Sequence, residues 1–357
     1  MRPRSSGGAW LAFLAGCAIL QAPAPVWAAP LSAPARFDTA DKVKIRGDFY
    51  AGRKDKPCIL LVPNVGGKRS EEGWRALAET LAGNGYAVLS FDWRGCGDST
   101  DVGPEFWDYN APWGSINRNG IMHRHRGQTE ISFKDFRRSY VPWLINDLCA
   151  AKHYLDTQNN ANACNASDVI VVAAQDGAAL SALWIASEWR RWPMIPSPLN
   201  PNLMIRDPLG SAPSGSDVAA AVWLTMPSSL NGIGVNRWLS GLIDLPGRPP
   251  IASRLPMAFI FGDKDARGKA AAKRLSDDLK RWNGGGRRLV KFASDPIPGQ
   301  GKGAQLLGKR QLNTDKSIDK IIDAVMDERS PTPWHDRRDS LVIVDRQVFS
   351  LLGVSVR

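Results

Sequence analysis

The chain has 357 residues, of which 43% are hydrophobic and 23% are charged. This balance is ordinary for a folded protein and excludes a disordered chain. A chain of this length can still form one large α/β domain. The formal net charge is +11, which favours nonspecific attraction to polyanions. Because the basic residues are interleaved with acidic ones and no nucleic-acid-binding motif is present, we expect a basic solvated surface and no nucleic-acid partner.

Residues 1–28 have the pattern of a secretory signal peptide. Arg2 and Arg4 give a positive start, residues 9–20 form an apolar run, and residues 26–28 resemble a small-residue cleavage site. The apolar run is too short to span a bilayer as a helix. We therefore expect an exported protein, located in the periplasm or outside the cell.

A lipoprotein is the alternative form of export. Residues 14–17 resemble a bacterial lipobox, in which the final cysteine, here Cys17, becomes lipidated. A membrane partner is therefore expected only if Cys17 carries a lipid.

The rest of the chain predicts one domain over residues 29–330 and a C-terminal tail over residues 331–357. Apolar runs of buried-strand length, such as residues 58–62, alternate with amphipathic helical segments. This alternation is typical of βαβ units around a parallel sheet. The segment at about 101–140 is irregular, so we expect an insertion there. The Pro- and Gly-containing segment at about 192–255 is a candidate lid.

The cysteines and glycines indicate neither a metal nor a cofactor. Four cysteines follow Cys17, and none shows CxxC spacing. Cys58 and Cys149 lie in apolar patterns typical of small core residues, while a disulfide between Cys149 and Cys164 stays open. No recurring metal-ligand spacing and no nucleotide-binding glycine loop is present, so we expect no metal and no cofactor.

Four motifs occur in a fixed order along the chain. A Pro-Asn-Val-Gly-Gly turn at 63–67 follows a predicted buried strand, and an Asp-x-Arg-Gly-x-Gly-x-Ser run covers 92–99. Residues 174–178 lie between a predicted strand and a predicted helix, and a Gly-Asp-Lys-Asp run covers 262–265. In these motifs and their order the chain resembles the α/β-hydrolase superfamily over residues 37–328. The resemblance implies an α/β-hydrolase fold, with a mostly parallel central sheet, helices on both faces, and a lid or insertion.

The resemblance also implies roles for residues in these motifs. The strand–turn–helix context of the third motif puts Asp176 in the nucleophile position, where the superfamily usually has serine. Asp265 matches the acid of the catalytic triad, and Lys302 matches the position of the histidine base. The backbone amides of Val65 and Gly177 match the donors of the oxyanion hole.

The catalytic groups of a serine hydrolase are missing from these positions. Such an enzyme needs a serine hydroxyl and an imidazole base. The chain has four histidines, and none matches the base position: His123, His125, His153 and His335. We therefore expect a non-catalytic protein that binds a small-molecule ligand or a protein partner. In this interpretation the Asp176 carboxylate and the Lys302 ammonium form an ion pair, and Asp265 is a candidate third partner.

The alternative function is a hydrolase that uses Asp176 as its nucleophile. Haloalkane dehalogenases and epoxide hydrolases of the same superfamily attack an alkyl carbon with an aspartate, and Gln175-Asp176 is similar to the Gln-Asp of some dehalogenases. Such enzymes also need a histidine that activates water. In this chain that group would have to come from His123 or His125 of the predicted insertion.

Overall fold

The protein is described by a computed structural model. It describes residues 31–122, 126–192, 194–200, 203–206, 212–240, 255–282, 293–329, 331–337 and 341–356. The predicted signal peptide, with Cys17, lies outside the described residues, and so do His123 and His125. Of the candidate lid, residues 193, 201–202, 207–211 and 241–254 lie outside them as well.

The described strands fall into one large sheet and two short hairpins. In chain order they are β1 (Ala33–Asp38), β2 (Lys44–Tyr50), β3 (Cys58–Val62), β4 (Ala87–Phe91), β5 (Val169–Ala174), β6 (Met194–Pro196), β7 (Met204–Arg206), β8 (Val218–Leu224), β9 (Ser229–Leu230), β10 (Ile233–Gly234), β11 (Met257–Gly262) and β12 (Ala293–Ile297). The eight-stranded sheet has the order β1-β2-β4-β3-β5-β8-β11-β12. From β4 to β12 all neighbours are parallel, and β2 is antiparallel to both β1 and β4. The predicted mostly parallel sheet is confirmed.

Helices cover both faces of this sheet. The described helices are α1 (Glu72–Gly83), α2 (Gly114–Gly120), α3 (Ile145–Asn160), α4 (Gln175–Glu188), α5 (Val235–Leu239), α6 (Ala266–Trp282), α7 (Thr314–Arg329) and α8 (Arg346–Leu351). The side chains of α1 and α7 pack into one apolar cluster, and those of α3, α4, α5 and α6 pack into a second cluster. Helices on both faces bury a parallel sheet completely, which explains its continuous apolar strands.

The side chains of each buried strand point alternately into the two apolar clusters on either face of the sheet. On β3, Leu60 packs into the cluster that contains α4, whereas its neighbours Ile59 and Leu61 pack into the cluster that contains α1. Successive side chains of a strand point to opposite faces, so an unbroken apolar run serves both layers. Every residue of β3, β5 and β8 is buried.

A buried ion-pair network attaches the insertion to the sheet. Arg94, from the Asp-x-Arg-Gly-x-Gly-x-Ser run, is fully buried and binds the carboxylates of Asp41 and Asp147. Its guanidinium also donates to the hydroxyl of Tyr140, and Trp143 Nε1 donates to Asp41. A buried charge is tolerated only when it is paired and hydrogen-bonded, as here. The motif therefore has a structural role beneath the insertion.

The segment predicted as a C-terminal tail packs on the domain. Phe349 of α8 lies with its ring centroid 5.8 Å from that of Trp143, and Trp238 Nε1 donates to the carbonyl oxygen of Leu352 at 3.1 Å. Val344 and Val354 are also buried in the cluster that contains α4. The apolar run near residue 344 is thus a core element.

The described cysteines are free thiols. Cys58, Cys96, Cys149 and Cys164 are all buried and unpaired as disulfides. The Cys164 thiol donates to the carbonyl oxygen of Leu155 at 3.5 Å. Within the described part of the chain no helix has both the length and the apolar character of a membrane span.

Candidate functional site

The carboxyl ends of four parallel strands meet at one edge of the sheet. Val62 of β3 pairs with Ala173 of β5, the end of β5 pairs with Leu224 of β8, and Leu224 pairs with Ile260 of β11. The loops that follow these strands therefore lie side by side. Open α/β sheets bind their ligands in the crevice at this edge.

The turn from β5 into α4 contains a strained residue. Gln175 has a backbone φ of 50°, in the left-handed region that residues with a side chain rarely adopt. Ala174 before it is extended, and α4 starts at Gln175. In a nucleophile elbow the nucleophile sits on this kind of sharp, strained strand-to-helix turn. The backbone therefore places Gln175, and not Asp176, in the nucleophile position.

The packing of Gly177 supports the alignment that puts Gln175 in the nucleophile position. A Cβ atom on Gly177 would collide with the carbonyl oxygen of Pro63, at the end of β3. Glycine at this point lets the helix approach the strand closely. Ala173-x-Gln175-x-Gly177 then aligns with the Gly-x-Ser-x-Gly pattern, with alanine in place of the first glycine, glutamine in place of the serine, and the second glycine kept. The assignment of Asp176 to the nucleophile position is corrected by one residue, because the altered motif allows either register and only the backbone separates them.

The Asp176 carboxylate is bound by the two predicted oxyanion donors. Its Oδ1 accepts a hydrogen bond from Val65 N at 2.9 Å and another from Gly177 N at 3.0 Å. Burial raises the pKa of the Asp176 carboxyl above its usual value, and the amide hydrogen bonds from Val65 and Gly177 counteract part of that rise. Asp176 also lies in the first turn of α4, where the helix dipole favours a negative charge. With Gln175 in the nucleophile position, the donor that follows the nucleophile is Asp176 N, so Val65 N keeps the predicted oxyanion role and Gly177 N does not. The Asp176 carboxylate thus occupies one predicted oxyanion donor, Val65 N.

Lys302 pairs with Asp265 instead of Asp176. Lys302 Nζ lies 3.6 Å from Asp265 Oδ1, and the Asp265 side chain is almost completely buried while half of Lys302 is exposed. The expected ion pair between Asp176 and Lys302 is wrong, because backbone amides hold Asp176 and the buried Asp265 attracts the lysine. Asp265 Oδ2 is buried and has no hydrogen-bond partner among the described residues.

The side chain of Gln175 points toward the loop that carries Lys302. A Cβ on Gly303 would lie 2.8 Å from Gln175 Nε2, so the amide packs directly on this glycine. Gly303 has a φ of 53°, and its N–H donates to Thr225 Oγ1 at 3.2 Å. The residue in the nucleophile position therefore faces the loop that replaces the histidine loop of the superfamily.

The two described histidines lie away from this edge. His153 is in α3, and His335 is in the C-terminal segment, where Nδ1 lies 3.2 Å from Ser167 Oγ. Neither lines the cleft beside Asp176. The described residues also contain no group of three His, Cys, Asp or Glu side chains placed to hold a metal.

A cleft of about 660 Å³ opens beside Gln175 and Asp176. These two residues line it together with Asp265, Lys302 and one face of α6. The segment after β8, through β9 to Asn231, also lines it. The lining residues are Gln175, Asp176, Thr225, Met226, Pro227, Ser228, Ser229, Leu230, Asn231, Asp265, Arg267, Gly268, Ala270, Ala271, Arg274 and Lys302.

The motifs in the sequence do not indicate Arg267 and Arg274 as site residues, and they indicate Gln175 only as the neighbour of Asp176. The two arginines are seven residues apart, a spacing that places them on one face of a helix. That spacing, directly after the Gly-Asp-Lys-Asp motif, was the signal available in the sequence.

Comparisons with known proteins support the fold. The sequence matches no protein-family model and no curated protein. The esterase Pf2001 of Pyrococcus furiosus is similar in two crystal forms. One is 14% identical, with a TM-score of 0.51 over 83% of this chain and 91% of the esterase. The other is also 14% identical, with a TM-score of 0.50 over 82% of this chain and 90% of the esterase.

A dienelactone hydrolase from Anabaena variabilis is 13% identical over 84% of this chain and 98% of its own, with a TM-score of 0.49. At such identities a structural likeness shows a shared fold and leaves activity open. Together with the strand order and the helices on both faces, the similarity to the Pyrococcus furiosus esterase shows that the chain has the α/β-hydrolase fold.

Proposed function

We propose that this chain is a non-catalytic protein of α/β-hydrolase fold that binds a small-molecule ligand in the cleft beside Asp176. One observation carries the proposal. The Asp176 carboxylate accepts hydrogen bonds from both Val65 N and Gly177 N. In an acyl-transfer enzyme an amide in the position of Val65 stabilises the developing oxyanion, and oxyanion stabilisation is usually the largest single contribution to catalysis. Here a side chain of the protein itself holds that donor.

The neighbouring residues support a loss of acyl-transfer chemistry. Gln175 supplies an amide where a hydroxyl nucleophile would be needed. Lys302 forms an ion pair with Asp265, and a lysine ammonium has donors but no lone pair to accept a proton. In a triad the acid accepts a hydrogen bond from imidazole. The unpartnered Asp265 Oδ2 is consistent with the removal of such a donor.

The alternative, a hydrolase with an Asp176 nucleophile, has less support. Two amides fix Asp176 Oδ1, and no described residue of the cleft is a histidine that could activate the water for hydrolysis of an ester intermediate. The alternative remains an outcome of the experiment below.

Export is part of the proposal and rests on the N-terminal sequence. The positive start and apolar run of residues 1–28 support a periplasmic or extracellular protein. If Cys17 is lipidated, the protein is tethered to a membrane by its N-terminus.

Intact-mass spectrometry tests the absence of covalent catalysis. The protein is incubated separately with 1-bromobutane, 1,2-epoxybutane and a fluorophosphonate, and each sample is compared with the Asp176→Asn variant. We expect no adduct that depends on Asp176 and no turnover of p-nitrophenyl esters. An alkyl adduct that Asp176→Asn abolishes would establish the aspartate-nucleophile hydrolase instead.

A further inference from the structure

We propose that the ligand of this cleft carries an anionic head group on an apolar chain. Arg267 and Arg274 of α6 bind the head group, and the chain lies against Met226 and Leu230. The inference rests on the proposed function, because it names the ligand class of the same cleft.

One face of α6 forms the wall that recognises the ligand. Arg267, Ala270, Ala271 and Arg274 line the cleft and follow the i, i+3, i+4, i+7 spacing of a single helical face. The two arginines are exposed, and their Cα atoms are separated by about 10 Å along the helix axis. The alanines between them leave room at the wall. A ligand in the cleft therefore meets a guanidinium at either end of a small apolar surface.

The charged side chains of the described cleft lining leave an excess of positive charge. Arg267, Arg274 and Lys302 stand against two carboxylates, Asp176 and Asp265. Lys302 pairs with Asp265, and Asp176 is held on backbone amides. A guanidinium presents a planar fork of donors that fits the oxygen pairs of a carboxylate or a phosphate. The uncompensated charge thus favours an anionic ligand group.

Asp176 determines where that group binds. In a hydrolase an anionic oxygen of the substrate would accept a hydrogen bond from an amide in the position of Val65, but here the Asp176 carboxylate occupies that donor. A second anion beside it would be repelled. The head group is therefore directed to the α6 wall.

Apolar side chains of the segment after β8 account for the apolar chain of the proposed ligand. The segment after β8 places Met226, Pro227 and Leu230 on the cleft lining, and Met226 and Leu230 are themselves buried. Apolar atoms of a ligand against this wall are removed from water, which contributes free energy in proportion to the area covered. A ligand with both a charged end and an apolar body uses both walls.

Isothermal titration calorimetry at low ionic strength tests this inference. The probes are octanoate, octyl phosphate and the uncharged octan-1-ol, and butyrate serves as a short-chain carboxylate. We expect at least one octyl anion to bind at least about tenfold more tightly than octan-1-ol. Octanoate and octyl phosphate distinguish a carboxylate from a phosphate head group. Butyrate should bind more weakly than octanoate because it covers less of the apolar wall.

Two double variants of equal charge change separate the proposed contacts from general electrostatics. Arg267→Gln/Arg274→Gln removes the proposed contacts. Lys269→Gln/Lys320→Gln removes two exposed charges outside the cleft lining. We expect the arginine variant to lose the preference for the anion and the lysine variant to keep it within about twofold. Circular dichroism confirms that both variants are folded.

Three results would overturn the inference: no binding of either octyl anion, equal affinity for octan-1-ol, or an equal loss in the lysine variant. None of these results bears on catalysis, since the proposed function fails only through turnover or an Asp176-dependent covalent adduct. The two proposals can therefore fail separately.

Discussion

The stability order of glycine and alanine variants should reverse between positions 175 and 176. Gln175 has a φ of 50°, where a Cβ atom costs about 1–2 kcal/mol. The greater freedom of glycine in the unfolded chain offsets roughly 0.5–1 kcal/mol of that advantage. We therefore expect Gln175→Gly to be more stable than Gln175→Ala by roughly 0.5–1 kcal/mol. At Asp176, in the first turn of α4, alanine should be more stable than glycine by up to about 1 kcal/mol.

Urea unfolding followed by circular dichroism measures these differences. Alanine and glycine both remove the original side chain, so its lost contacts largely cancel within each pair. The four midpoints, converted with a shared m-value, give the two free-energy differences. If the alanine variant is the more stable one at position 175 and the glycine variant is the more stable one at position 176, the strained residue is Asp176 and not Gln175. Asp176 would then be the residue in the nucleophile position, as its motif resemblance implies.

Three further substitutions test other parts of the structure. Burial raises the pKa of Asp176, so stability falls as pH rises through its titration. Asp176→Asn should therefore increase the unfolding midpoint at pH 7 and lose this advantage at acidic pH. Arg94→Met leaves two fully buried carboxylates without their cation, and urea unfolding should show a loss of about 3–5 kcal/mol. Gly177→Ala forces a Cβ against Pro63 O; thermal unfolding should show a loss of about 1–3 kcal/mol.

The fold could be predicted because its strongest signals are local. Continuous apolar runs such as β3, each ended by turn residues and followed by a helical pattern, specify a parallel sheet with two covered faces. The register of the elbow could not be predicted in the same way. With alanines in the motif, residues 173–177 and 174–178 both fit, and a shift of one residue changes which side chain faces the cleft. The φ of Gln175 decides between them.

Side-chain partners also depend on packing between distant parts of the chain. The order of motifs placed Lys302 at the correct edge of the sheet, but sequence position does not give side-chain direction. Asp265 is the buried acid, and it takes the lysine that was expected beside Asp176. Likewise, an apolar run near Val344 was visible in the sequence, whereas its place in the core depends on long-range contacts with helices such as α3.

The proposed role of Asp176 depends on its carboxylate accepting hydrogen bonds from the amides of Val65 and Gly177. Proton–nitrogen correlation spectra recorded across a pH titration test it most directly, because an amide that donates to a carboxylate shifts when that group is protonated. Both amide signals should titrate together, with a pKa above the usual value for aspartate, and neither should titrate in Asp176→Asn. Signals that stay constant with pH, or that titrate equally in Asp176→Asn, would show that the Asp176 carboxylate does not hold these amides.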